Sequence, residues 1–96
     1  MGKFSGEEIV ERLKSLAGWK LQGKSIRKEY ELPSFVDAIR FVNKVADLAE
    51  EADHHPDILI NYRRVILTLS THSEDGITQK DFDLAKKIDQ EGKLHG

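Results

Sequence analysis

The chain contains two prolines, Pro33 and Pro56, and they bracket its longest helical pattern. A proline cannot donate to a backbone ladder, and it biases the residue before it away from helical geometry. Pro33 therefore ends a strand, Ser34 with Asp37 caps a helix, and that helix must stop near Asp53–His55. Phe35, Ile39, Val42, Ala46, Ala49 and Ala52 form its apolar stripe, flanked by Val36, Phe41, Val45 and Leu48. Such width predicts burial on more than one side, including a subunit interface.

A helix and a hairpin precede this segment. Ser5 and Glu8 make an S-x-x-E capping box, with Phe4 and Ile9 placed as a hydrophobic staple. Ile9, Val10, Leu13, Leu16 and Ala17 recur at helical spacing up to Gly18. In WKLQGKSIRKEYEL, Trp19 and Leu21 alternate before a turn at Gln22-Gly23-Lys24, and Ile26, Lys28, Tyr30 and Leu32 share one face after it. Lys28 is a blemish on that face, tolerable where its stem packs and its amine reaches water.

A hairpin and a helix follow. Ile58, Ile60 and Tyr62 alternate, a turn falls at Arg63-Arg64, and Val65, Leu67, Leu69 and Thr71 alternate back. Thr78 and Asp81 repeat the capping pair, Ile77 and Phe82 the staple, and Ala85 and Ile88 the stripe, to Gly92. His95 reads as a frayed, solvated tail residue. The order is α-β-β-α-β-β-α: an α+β two-layer fold, with a four-stranded antiparallel sheet and three helices packed on one face.

The 96 residues fit a single domain, 1–96. With 39% hydrophobic and 33% charged residues and no cysteine, the chain reads as an intracellular, cytoplasmic protein without disulfides or thiolate zinc sites. No apolar run suits a membrane span, and no signal-peptide core is present. A net charge of −2 with scattered basic residues offers no footprint for direct nucleic-acid binding.

One motif is refused. GWKLQGKS, residues 18–25, spells the phosphate-loop pattern G-x-x-x-x-G-K-[ST]. That loop works only between a strand and the N-terminus of a helix, whose amides hold the phosphates. Here a helix precedes and a strand follows.

The histidines remain. Glu50, Asp53 and His54 lie at i, i+3 and i+4 of the central helix's last turn, and His55 follows. Partial negative charge at a helix C-terminus and neighbouring carboxylates both favour imidazolium at His54, and a protonated histidine near neutrality can serve as a general acid. His72 ends the fourth strand, and a hairpin brings its outer strand ends together, so His54, His55 and His72 should be neighbours. Ser70, Thr71 and the acids fall at the same end. Each residue also has an ordinary reading: His54 as a helix cap, His55 and His72 as solvated turn residues, Asp81 as a cap, Tyr62 as core. A metal triad of Glu50, His54 and His72 is a rival, although no H-x-x-x-H spacing supports it.

Glu50-x-x-x-His54-His55-Pro56, with Tyr62, His72 and Asp81 at their spacings, resembles the signature of the pterin-4a-carbinolamine dehydratases. DHHPD, LTLSTH, GITQKDFDLAKKID, GWKLQG and AIRFVNKVADLAEEADHHP extend the resemblance over nearly the whole chain. It implies the same fold, and dehydration of 4a-hydroxytetrahydropterin to quinonoid dihydropterin after an aromatic amino acid hydroxylase has used the pterin. By position, it implies His54, His55 and His72 as the catalytic and pterin-contacting set. Asp53, Ser70, Thr71 and Ser73 become substrate contacts, and Glu50 and Asp81 orient or polarise the histidines. No metal or organic cofactor is implied, and the assembly would be a homodimer or homotetramer. Ser73 stands where relatives can carry an acid, and Ile58 where some carry an aromatic. The alternative is an oligomeric partner-binding or regulatory module without turnover.

Overall fold

Capping residues and turns set where each element starts. The computed structural model describes residues 2–95, with the backbone alone at Leu94 and His95. In order come α1 (Gly6–Leu13), β1 (Lys20–Gln22), β2 (Ser25–Glu31), α2 (Phe35–Ala52), β3 (Asp57–Asn61), β4 (Arg64–Leu69), a 3-10 turn at His72–Glu74, and α3 (Gln79–His95). The strands form one antiparallel sheet in the order β1-β2-β4-β3. The chain is thus an α+β fold of the expected order. Ile26 of β2 and Val65, Leu67 and Leu69 of β4 are buried in one cluster with Ala38, Phe41 and Val45 of α2 and Phe82, Ala85 and Ile88 of α3.

The capping box on α1 forms as the sequence predicts, Ser5 and Glu8 each taking the other's backbone N–H. Ser34 likewise accepts from the Asp37 N–H at the start of α2. The phosphate-loop look-alike is a strand, a turn at Gly23-Lys24 and the start of a second strand, with no helix after it.

Several boundaries differ. Helix α1 stops at Leu13, where the backbone tightens into i→i+3 bonds from Lys14, Ser15 and Leu16, yet Leu16 and Trp19 still reach the core. Val10 is left exposed. On α2 the core takes Ala38, Phe41, Val45 and Ala49, whereas Phe35, Val36, Ala46 and Ala52 face outward. The helix carries two apolar bands, and periodicity alone does not say which one meets the sheet. Tyr62 is no core residue: it opens the β3–β4 turn at φ 57 and is 68% exposed. Ile58, Leu59 and Ile60 are also exposed, because β3 is an edge strand, paired among the described residues with β4 alone. Gly92 does not stop α3, which runs on to His95. A Cβ on Gly92 would lie 2.9 Å from Tyr30 Cε2, so glycine here serves close packing between helix and sheet.

Lys28 is explained by a residue far away in sequence. Its Nζ meets Asp89 Oδ1 and the Ala17 carbonyl, both at 2.9 Å. Asp89 also accepts from Trp19 Nε1 and from the Tyr30 hydroxyl. Burial first, and then Asp89, push the Tyr30 phenol well above its ordinary value.

Candidate active site

The C-terminus of α2 decides where the two adjacent histidines go. Asp53 adopts a left-handed conformation (φ 49, ψ 44), a position usually given to glycine, and the His54 N–H closes back on the Ala49 carbonyl at 3.1 Å. His54 thereby leaves the helix face it would share with Glu50 and turns inward, 9% exposed. Its Nε2 lies 2.5 Å from Oδ1 of Asp81, which is completely buried in the first turn of α3. His55 stays outside, its Nε2 2.5 Å from Glu50 Oε2. Glu50 and His54 therefore do not share the helix face that their i, i+4 spacing predicted: Glu50 meets His55, and Asp81 meets His54.

Thr71 joins the same carboxylate, its Oγ1 2.9 Å from Asp81 Oδ2. Asp57 pairs with Thr68 in the β3–β4 ladder, so the segments beyond carry His54 and His55 alongside Ser70 and Thr71. His72, next to Thr71, is exposed at the start of the 3-10 turn, which a Thr71–Gly76 bridge closes at its base. Ser73 is exposed on that turn, Asp53 is exposed at the end of α2, and Ser70 is half-buried.

Thr78, read from sequence only as a cap, belongs to the site. Its backbone N–H donates to Asp81 Oδ2 at 2.9 Å, and its Oγ1 lies 2.8 Å from Thr71 Oγ1. The T-x-x-D spacing was the signal, hidden because a cap already explains it. Among the described residues, every buried side-chain nitrogen or oxygen has a partner. A cleft of about 210 Å³, lined by Thr71, Ser73, Glu74, Thr78, Gln79 and Lys80 among others, opens beside this network. A larger one of about 400 Å³ lies at Lys28, Tyr30 and Asp89 and touches none of the histidines. Among the described residues no group of three or more potential ligands is placed to hold a metal. The Glu50–His54–His72 triad is not assembled, because Glu50 and His54 take different partners.

A buried imidazole on a buried carboxylate is equipped to move protons. Residues 2–91 match the family described as Pterin 4 alpha carbinolamine dehydratase. The chain belongs to that family of hydro-lyases. A relative from Roseiflexus sp. (strain RS-1), named for the same dehydratase, is 58% identical over 88 residues, covering 92% of this chain and 95% of its own. One from Sulfolobus acidocaldarius is 44% identical over 88 residues, covering 92% and 97%. A crystal structure from Brucella melitensis, described as a transcriptional coactivator/pterin dehydratase, matches with a TM-score of 0.90 at 35% identity, over 94% of this chain and 98% of that one. A pterin dehydratase-like protein described as a RuBisCO assembly factor in the alpha-carboxysome matches with a TM-score of 0.68, over 78% of this chain and 89% of that one. At 24% identity, that likeness shows the dehydratase fold alone.

Proposed function

We propose that this chain dehydrates 4a-hydroxytetrahydropterin to quinonoid dihydropterin by imidazole acid/base catalysis, recycling the pterin after an aromatic amino acid hydroxylase. An imidazolium gives its proton to the departing 4a-hydroxyl, and the C4a–O bond breaks to release water. A neutral imidazole takes the proton from N5, whose electron pair completes the C4a=N5 double bond. One proton is given and one taken, so neither metal nor organic cofactor is needed. His54, His55 and His72 form the acid/base and pterin-contacting set, and the face of C4a that carries the hydroxyl selects the acid. Asp53, Ser70, Thr71 and Ser73 line the approach, while Glu50 and Asp81 orient His55 and His54.

The observation that carries this reading is the His54–Asp81 pair, buried in a member of a dehydratase family. The test is turnover by metal-depleted protein in the presence of chelator, followed as quinonoid dihydropterin formation. Acceleration over buffer supports the proposal. Activity that appears only when metal is restored contradicts it.

A homodimer or homotetramer in the cytoplasm completes the proposal. The unpaired edge of β3, with Ile58, Leu59 and Ile60 exposed, supports association. The same edge favours the second reading, a partner-binding module. That reading predicts a stable complex with a partner and no turnover.

A further inference from the structure

Asp81 meets three partners, and because an ionised carboxylate only accepts, the hydrogens around it can be assigned. The Thr71 hydroxyl has one hydrogen and faces a carboxylate that only accepts, so that hydrogen lies on Asp81 Oδ2. Thr78 Oγ1, at 2.8 Å, must then donate to Thr71 Oγ1. Thr78 Oγ1 in turn accepts the Lys80 N–H at 3.2 Å, and the Thr78 N–H itself reaches Asp81 Oδ2 at 2.9 Å. The chain runs one way, from the first turn of α3 through two threonines to Asp81. With Oδ2 holding two donors, Oδ1 is the acceptor left for His54 Nε2 at 2.5 Å.

We infer that Thr71 and Thr78 are positioning residues which hold the Asp81 carboxylate with Oδ1 toward His54 Nε2, so that His54 keeps its hydrogen on Nε2 and exchanges protons through Nδ1. This rests on the reading of His54 as an acid/base group for the catalytic step, although the state of the ring can be observed without turnover. It changes the part played by Thr71. Its hydrogen is committed to Asp81, so it acts through His54 instead of donating to the pterin. A carboxylate that fixes an imidazole's tautomer matters to catalysis because the wrong tautomer offers its lone pair on the wrong side.

The decisive measurement is nitrogen-15 NMR of the imidazoles in the whole, ligand-free protein, with His54 assigned by its loss in His54→Gln. The expected spectrum has His54 Nε2 carrying hydrogen, and Nδ1 as the nitrogen that gains and loses its proton. In Thr71→Val the ring should populate both tautomers, and kcat should fall about tenfold with KM little changed, the scale of one hydrogen bond to a charged group. Thr71→Ser and Thr78→Ser keep the hydroxyls and should restore both readouts. A purely structural role would lower stability without altering the ring.

A wild-type His54 with hydrogen on Nδ1 and none on Nε2 overturns the inference, with no variant required. An unchanged ring and kcat in Thr71→Val overturn it as well. If the ring state is as expected but the protein shows no dehydratase turnover, the network stands and the functional proposal fails.

Discussion

Asp81 is the residue on which most depends, since one buried carboxylate holds a histidine, a threonine and the first turn of α3. Asp81→Asn keeps the volume but replaces one acceptor oxygen with a donor amide, which cannot serve both sides. The expected result is a fall in kcat of about 10²-fold or more, and the folded state is checked by circular dichroism. Tyr30 gives a prediction in pH. Burial, then its bond to Asp89, raises its phenol in the folded state. Its stabilisation is therefore complete below the unfolded tyrosine value near 10 and is lost as pH rises beyond it. The melting temperature should fall with increasing pH above about 10, and Tyr30→Phe should make that fall shallower. The lysine that marred the apolar face of β2 belongs to this same cluster. Nothing near Lys28 in sequence announces Asp89, which lies 61 residues away.

At the scale of elements, the end of α2 is where local preference yields to the site. Asp53 sits in left-handed backbone at φ 49, where glycine carries no steric cost. Asp53→Gly should stabilise the fold by about 1 kcal/mol, read from chemical denaturation. If Asp53 contacts pterin as proposed, KM should rise in the same variant, separating its backbone cost from its side-chain use. The element boundaries that proved legible were those written in local chemistry. Ser5 with Glu8, Ser34 after Pro33, and the stop before Pro56 each act within a few residues. The reversal that sends His54 inward and leaves His55 outside was not legible, because a left-handed aspartate has no distinctive spacing. Gly92 misled for the same kind of reason: its partner, Tyr30, belongs to another element.

For the whole molecule, the sheet order explains both an error and a prediction. Alternation marked Ile58, Ile60 and Tyr62 as apolar, but it could not show that β3 lies at the edge, where Leu59 is 58% exposed. If this edge joins copies of the chain, Leu59→Lys should lower the mass measured by light scattering to that of a monomer and leave circular dichroism unchanged. The nearness of Thr71 to His54 was legible because hairpin topology alone brings them to the same level. The carboxylate joining them was legible only as a helix cap. The proposal that buried imidazole, not bound metal, drives the dehydration is tested by stopped-flow measurement on metal-depleted wild type, His54→Ala and His72→Ala. The wild type should form quinonoid dihydropterin rapidly, and His54→Ala should lose about 10²-fold. A wild type no faster than buffer, or both variants at the wild-type rate, would contradict it.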